Sequence, residues 1–126
     1  MTFDYAPAPE SRAVVDIAPH YGLFIDGDFV ESIDGTTFKT INPATEEVLT
    51  EITEAGAADV ERAVKAARTA YKQTWSKMPG RERAKYLYRI ARIIQERSRE
   101  LAVLETLDNG KPIRESRDVD IPLVAA

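Results

Sequence analysis

The sequence predicts an α/β chain in which an N-terminal antiparallel hairpin and small sheet are followed by long helices. Three observations carry this expectation. Between residues 21 and 53, short alternating apolar runs are divided by Asp26-Gly27 and Asp34-Gly35, and Asp-Gly is among the strongest hairpin signals. From residue 57 onward the apolar spacing becomes that of helices. The longest helical pattern then runs into Asn109-Gly110-Lys111-Pro112. Asn and Gly accept the left-handed conformation that closes a helix, and Pro cannot continue one.

The 126 residues, 44% hydrophobic and 30% charged, suit one ordinary globular domain and not a disordered chain. No run approaches the roughly 18 to 20 apolar residues that a membrane span needs. Met1-Thr2-Phe3-Asp4-Tyr5 has neither a basic nor an apolar leader region, so the expected setting is cytoplasmic, away from membranes. The absence of cysteine removes disulfides, thiolate metal sites and thiol nucleophiles together. Covalent chemistry on this chain would have to use Ser, Thr, Lys or a carboxylate.

The net charge of −4 is unevenly spread. Residues 1–60 hold 12 acids against Arg12 and Lys39, a net of −10, and residues 61–126 hold 9 acids against 15 bases, a net of +6. A basic half raises nucleic acid as a partner. The bases are interleaved with acids at helical spacing, as in Arg81-Glu82-Arg83 and Arg99-Glu100, and no aromatic platform accompanies them. That pattern is one of solvated helix faces, and no nucleic-acid partner is expected.

Taken in order, residues 1–20 carry Pro7, Pro9 and Pro19 without periodicity and read as an extended arm. His20 has no second His or Cys near it, so a structural or exposed role is expected. Leu23-Phe24-Ile25 and Asp28-Phe29-Val30 form the hairpin, with Asp26 and Asp28 as turn residues and not a metal pair. Thr37-Phe38-Lys39-Thr40-Ile41 alternates like a half-buried strand and stops at Asn42-Pro43, and residues 47–52 supply another. A helix over 57–73 should bury Val60, Ala63, Val64, Ala67 and Tyr71 on one face. A second, over 79–108 and about 40 Å long, should carry Ala84, Leu87, Tyr88, Ala91, Ile94, Leu101 and Leu104 on one stripe. A third is expected over 113–126, started by Asp118 or Asp120 with Pro122 in its first turn, and its apolar end reads as a cut inside a helix.

Four stretches, in this order, resemble the N-terminal part of an NAD(P)-dependent aldehyde dehydrogenase. They are Phe24-Ile25-Asp26-Gly27-Asp28-Phe29-Val30, Ile41-Asn42-Pro43-Ala44-Thr45-Glu46-Glu47-Val48, the run from Asp59-Val60 to Ala70-Tyr71, and Leu104-Glu105-Thr106-Leu107-Asp108-Asn109-Gly110-Lys111-Pro112. One departure is Gly56, where the family often carries Asp as the helix cap, a change that weakens the cap by roughly a few tenths of a kcal/mol.

The resemblance implies an incomplete part of the family's cofactor-binding domain, in an oxidoreductase that turns aldehydes into carboxylic acids. In the family a Cys attacks the carbonyl, hydride passes to NAD or NADP, and a Glu activates water. Those residues and the glycine-rich cofactor segments lie downstream of this point in the family. No catalytic and no cofactor-binding residue is therefore expected within these 126, and the chain alone should be inactive. Expected partners are the remainder of the polypeptide, a small aldehyde and further copies of the complete protein.

One family site maps onto residues present here. The resemblance implies a monovalent cation, K+ or Na+, held by the backbone carbonyls of Thr40 and Ile41 and by Asp108. A hard cation wants oxygens, and a strand end beside a helix C-terminus supplies carbonyls and a carboxylate. Without the resemblance, the same residues read as a strand edge and a self-capping turn. A stand-alone module that docks through its helix stripes is the other reading open to the chain.

Overall fold

A computed structural model of the chain describes residues 11–126. Half of the expected arm, residues 1–10, lies outside the described residues. A turn of 3-10 helix at Arg12–Val14 is capped by the Ser11 hydroxyl, which accepts from the Ala13 N–H at 3.1 Å. Five strands follow: β1 (His20–Tyr21), β2 (Leu23–Ile25), β3 (Asp28–Val30), β4 (Thr37–Ile41) and β5 (Val48–Thr53). The helices are α1 (Ala57–Gln73), α2 (Gly80–Glu96), α3 (Ser98–Asn109), α4 (Ile113–Glu115) and α5 (Ile121–Ala125), with a π-helical stretch at Ser116–Asp120.

The β2–β3 hairpin closes through Asp26 and Gly27, both at positive φ, as a two-residue turn demands of a right-twisted ribbon. Phe24 and Phe29 face each other across it, ring centroids 5.1 Å apart. The hairpin is separate, and the other sheet has the order β1-β5-β4, with β1 parallel to β5 and β4 antiparallel to it. Gly22, between β1 and β2, runs so close to the end of β3 that a Cβ there would lie 2.8 Å from the Val30 carbonyl oxygen. His20, expected in the arm, pairs with Glu51 as the first residue of β1.

The expected helix over 79–108 is two helices. Arg97 interrupts it with φ −102° and ψ 17°, then pairs its guanidinium with Glu100 in the next turn at 2.8 Å. The interruption lets α3 turn Ala102, Val103 and Leu107 into the core, while Leu87 and Tyr88 of α2 stay 60% and 71% exposed. An unbroken helix presents a single stripe, whereas these two segments have different neighbours. The stripe expected on α1 differs similarly. Ala63, Ala66, Ala67 and Ala70 line the cleft facing the hairpin, and Val60, Val64 and Tyr71 are exposed. Small residues allow helix and hairpin to approach closely where the larger ones could not.

The last helical run starts at Ile113, ahead of the expected Asp118, with Pro112 as its cap residue. It widens to π geometry just before Pro122, where the Ile121 N–H reaches back to the Ser116 carbonyl. Pro122 has no N–H, and its ring would crowd the carbonyl four residues earlier, so the local widening removes a conflict. The core is centred on α3, with Ile25, Ala102, Val103, Leu107 and Ala125 as the buried apolar residues among those described. Thr106 and the fully buried Ser116 share a hydroxyl hydrogen bond of 3.2 Å that joins α3 to the π stretch.

Candidate functional site

The end of β4 meets the end of α3. β4 is an edge strand, paired with β5 on one side only, so one row of its backbone groups faces outward. Its register with β5 shifts between Thr40 and Ile41, where Leu49 is the extra residue, and such a bulge adds twist at the strand end. Beyond β4 the chain turns tightly. The Asn42 side-chain oxygen accepts from the Ala44 N–H at 2.9 Å, and the Asn42 N–H donates to the Glu47 carbonyl at 2.9 Å. That turn presents Pro43 to α3.

On the other side, α3 ends with Gly110 in the left-handed conformation, φ 76°, its N–H closing on the Thr106 carbonyl at 3.0 Å. A Cβ on Gly110 would lie 2.8 Å from Pro43 Cγ. The two turns are therefore in contact, and glycine is required both by its φ and by its neighbour. This packing brings Asp108 to β4: the Thr40 hydroxyl donates to Asp108 Oδ1. Thr40 is half-buried, while Asp108 and Ile41 are exposed.

Thr40 and Asp108 sit on the rim of a cavity of about 530 Å³ between the sheet and α3, walled by Ile17, Leu49, Leu101 and Ile121. Glu105, one turn before Asp108, is on the same rim. The side chains that meet at this junction offer oxygens, the Asp108 carboxylate and the Thr40 hydroxyl, and the last α3 carbonyls have no partner within the helix. Such a set fits a hard monovalent cation. It does not fit a divalent or transition metal, since no group of three His, Cys, Asp or Glu is gathered among the described residues.

The strand-to-helix connection ahead of α1 does not offer what a dinucleotide's pyrophosphate needs. The connection from β5 to α1, residues 54–56, leads from a strand into a helix, where pyrophosphate would sit in a dinucleotide fold. Here that helix N-terminus is already filled by acids. Asp59, 1% exposed, accepts from the Gly56 N–H at 3.0 Å and from the Ile33 N–H at 3.1 Å, and Asp34 Oδ2 lies 3.0 Å from where a Gly56 Cβ would be. A phosphate would meet two carboxylates instead of free N–H donors.

His20, Glu31 and Thr53 come together in a way the sequence did not disclose. His20 Nε2 is 3.0 Å from Glu31 Oε1 and 3.3 Å from the Thr53 hydroxyl, which donates to Glu31 Oε2 at 2.8 Å. A nucleophilic triad needs acid and hydroxyl on opposite ring nitrogens, whereas both partners here use Nε2, and Thr53 is 3% exposed. The cluster ties β1 to β5 and to the end of the hairpin. The Thr53 hydrogen bond, and then that of His20, holds the Glu31 carboxyl below the usual glutamate range against a smaller opposing effect of burial. Asp59 was also missed beyond its place in the first turn of α1, because Ile33 is 26 residues away and no local pattern points to it.

The model of the aldehyde dehydrogenase family matches residues 29–126. The chain belongs to the aldehyde dehydrogenase family. It is 48% identical over 107 residues to aldehyde dehydrogenase family 2 member B4, mitochondrial, of Arabidopsis thaliana, covering 84% of this chain and 20% of that protein. It is 48% identical over 99 residues to aldehyde dehydrogenase 1 of Tanacetum cinerariifolium, covering 78% and 20%. The NAD+ complex of the Bacillus cereus aldehyde dehydrogenase superposes with a TM-score of 0.77 at 48% identity, covering 81% of this chain and 21% of that one. The chain thus spans about a fifth of the length of the relatives it matches, and its fold is a partial aldehyde dehydrogenase domain. No helix among the described residues is long and apolar enough to cross a membrane.

Proposed function

We propose that this chain is the scaffold segment of an NAD(P)-dependent aldehyde dehydrogenase, and that it lends the assembled enzyme a monovalent-cation junction at Thr40, Ile41 and Asp108. The observation that carries the first part is the family match across residues 29–126. The second part is supported by the meeting of the β4 edge with the α3 terminus, where Thr40 and Asp108 bond directly. With no cysteine in its 126 residues, the chain has no thiolate for attack on an aldehyde carbonyl. The nucleophile, the general base and the nicotinamide site belong, in this reading, to the remaining polypeptide.

The exposed apolar faces of α1 and α2 support that division of labour. Val60, Val64, Leu87, Tyr88 and Ile90 are all at least half exposed, a face that a larger body of chain would cover. In the completed protein the junction pins the loop after β4 to the α3 turn, and so fixes the sheet against the central helix. A small aldehyde, assembly into homo-oligomers and a cytoplasmic setting complete the proposal.

The test is a graft. Replacing the corresponding segment of the Arabidopsis relative with this chain should leave NAD-linked aldehyde oxidation measurable, and the isolated chain should show none. Turnover by the isolated chain, or an inert graft that nevertheless folds, would overturn the reading.

A further inference from the structure

We propose that the Thr40 hydroxyl is a positioning group, holding the Asp108 carboxylate in the orientation that receives a monovalent cation. The inference rests on the cation junction proposed above and concerns a side chain that the junction, as built from Thr40 and Ile41 carbonyls, leaves without a role. Asp108 is the penultimate residue of α3, at the end of the helix where the dipole is negative and the last carbonyls have no partner. A carboxylate there is repelled by its own helix, and the helix gives it no reason to lean over β4. Thr40 supplies that reason, because its hydroxyl donates to Asp108 Oδ1 across 68 residues of sequence.

Two further observations point to an ion and not merely to a latch. The nearby base that could neutralise Asp108 is committed elsewhere: Lys111 Nζ bonds Asp120, which, followed by burial acting the other way and then by the charges of Asp120, Glu105 and Glu115, leaves its pKa raised. Asp108 itself takes part in no ion pair among the described residues, although Glu105 shares its cavity rim. Among the described residues, the Asp108 charge therefore stands at the negative end of its helix without an ion-pair partner, while Lys111 acts on Asp120 and Glu105. The Thr40 hydrogen bond engages one carboxylate oxygen and leaves the other to ligate. One available charged oxygen beside neutral carbonyls suits a singly charged ion, while a divalent ion prefers several carboxylates.

The experiment compares Thr40→Val, which keeps the strand and its carbonyl but deletes the hydroxyl, with Thr40→Ser, which keeps the hydroxyl. Thermal unfolding is followed against potassium chloride, with choline chloride holding ionic strength constant. In parallel, the amide signals of Ile41, Asn109 and Gly110 are titrated with potassium, which gives a half-saturation value even where melting is broad. The half-saturating potassium concentration should rise roughly tenfold in Thr40→Val and stay near the parent value in Thr40→Ser. A hydroxyl that is only a structural latch would lower the midpoint equally at every potassium concentration and leave half-saturation unmoved, which overturns the proposal. If the parent chain itself ignores potassium and sodium, or Asp108→Asn responds as the parent does, the cation junction fails, a different result from a parent that responds alongside an unchanged Thr40→Val.

Discussion

Asp59 and Asp108 each stand within one turn of a helix end, yet they are opposite in what they leave unsatisfied. Asp59 is at the N-terminus of α1, where the dipole welcomes it, and it is buried with its oxygens on the Gly56 and Ile33 N–H groups. Asp108 is at the C-terminus of α3, where the dipole opposes it, and it is exposed with one hydroxyl donor. The first carboxylate completes a structure. The second keeps a charge with no ion-pair partner among the described residues.

That contrast can be broken most sharply at Asp59. Asp59→Ala takes the acceptor from two part-buried backbone donors, Gly56 and Ile33 N–H, and should lower unfolding free energy by about 1–3 kcal/mol in urea titration. Asp59→Asn, whose amide oxygen still accepts, should recover part of it. A loss below about 1 kcal/mol in the alanine variant would mean that Asp59 is not the tie between α1 and the Ile33 loop.

Next in size is the contact that brings Asp108 to β4. Gly110→Ala forces an L-residue to φ 76° and places a methyl 2.8 Å from Pro43, and it should cost about 1–2 kcal/mol by thermal or urea unfolding. Adding Pro43→Ala should return some of that cost, because only the steric part depends on the proline. Full additivity of the two would show that the turns do not touch.

At Asp108 itself the expected stability change is smaller. Asp108→Asn should lie within about 0.5 kcal/mol of the parent in cation-free solution, as for an exposed residue, and should abolish the response to potassium. An equally large loss at Asp59 and Asp108 would erase the distinction between them.

The smallest effect concerns Glu31, the third carboxylate with a defined set of partners. Its folded pKa is depressed first by Thr53 and then by His20, so its contribution is present at and above the usual glutamate range and is lost as pH falls through the folded value. Unfolding midpoints measured downward from neutral pH should show this loss in the parent chain and a weaker one in Glu31→Gln. Identical acid profiles would mean that the cluster contributes nothing to pairing β1 with β5.

Local chemistry was legible in the sequence; distant pairing was not. The Asp26-Gly27 hairpin, the Gly110 stop and the mix of small sheet with long helices follow from turn residues and from the change in apolar period, which act over a few positions. Arg97 lies in a stretch with no Pro or Gly, and only the different surroundings of α2 and α3 explain the break. The parallel pairing of His20 with Glu51 has no local signature. At the candidate site, the turn residues on both sides could be read, but the contact between Pro43 and Gly110 and the Thr40 hydroxyl bond required the fold.

The parallel pairing of β1 with β5 also orders events during synthesis. Tyr21 is synthesised well before its partner Ile52, whereas the β2–β3 hairpin lies wholly between them and closes through a two-residue turn. At roughly 5–20 residues per second, β1 must wait on the order of seconds for a neighbour, while both strands of the hairpin are made within a shorter interval. The first of the described strands thus pairs only once the last of them has been made, and until then its backbone donors and acceptors are open to any other strand that passes.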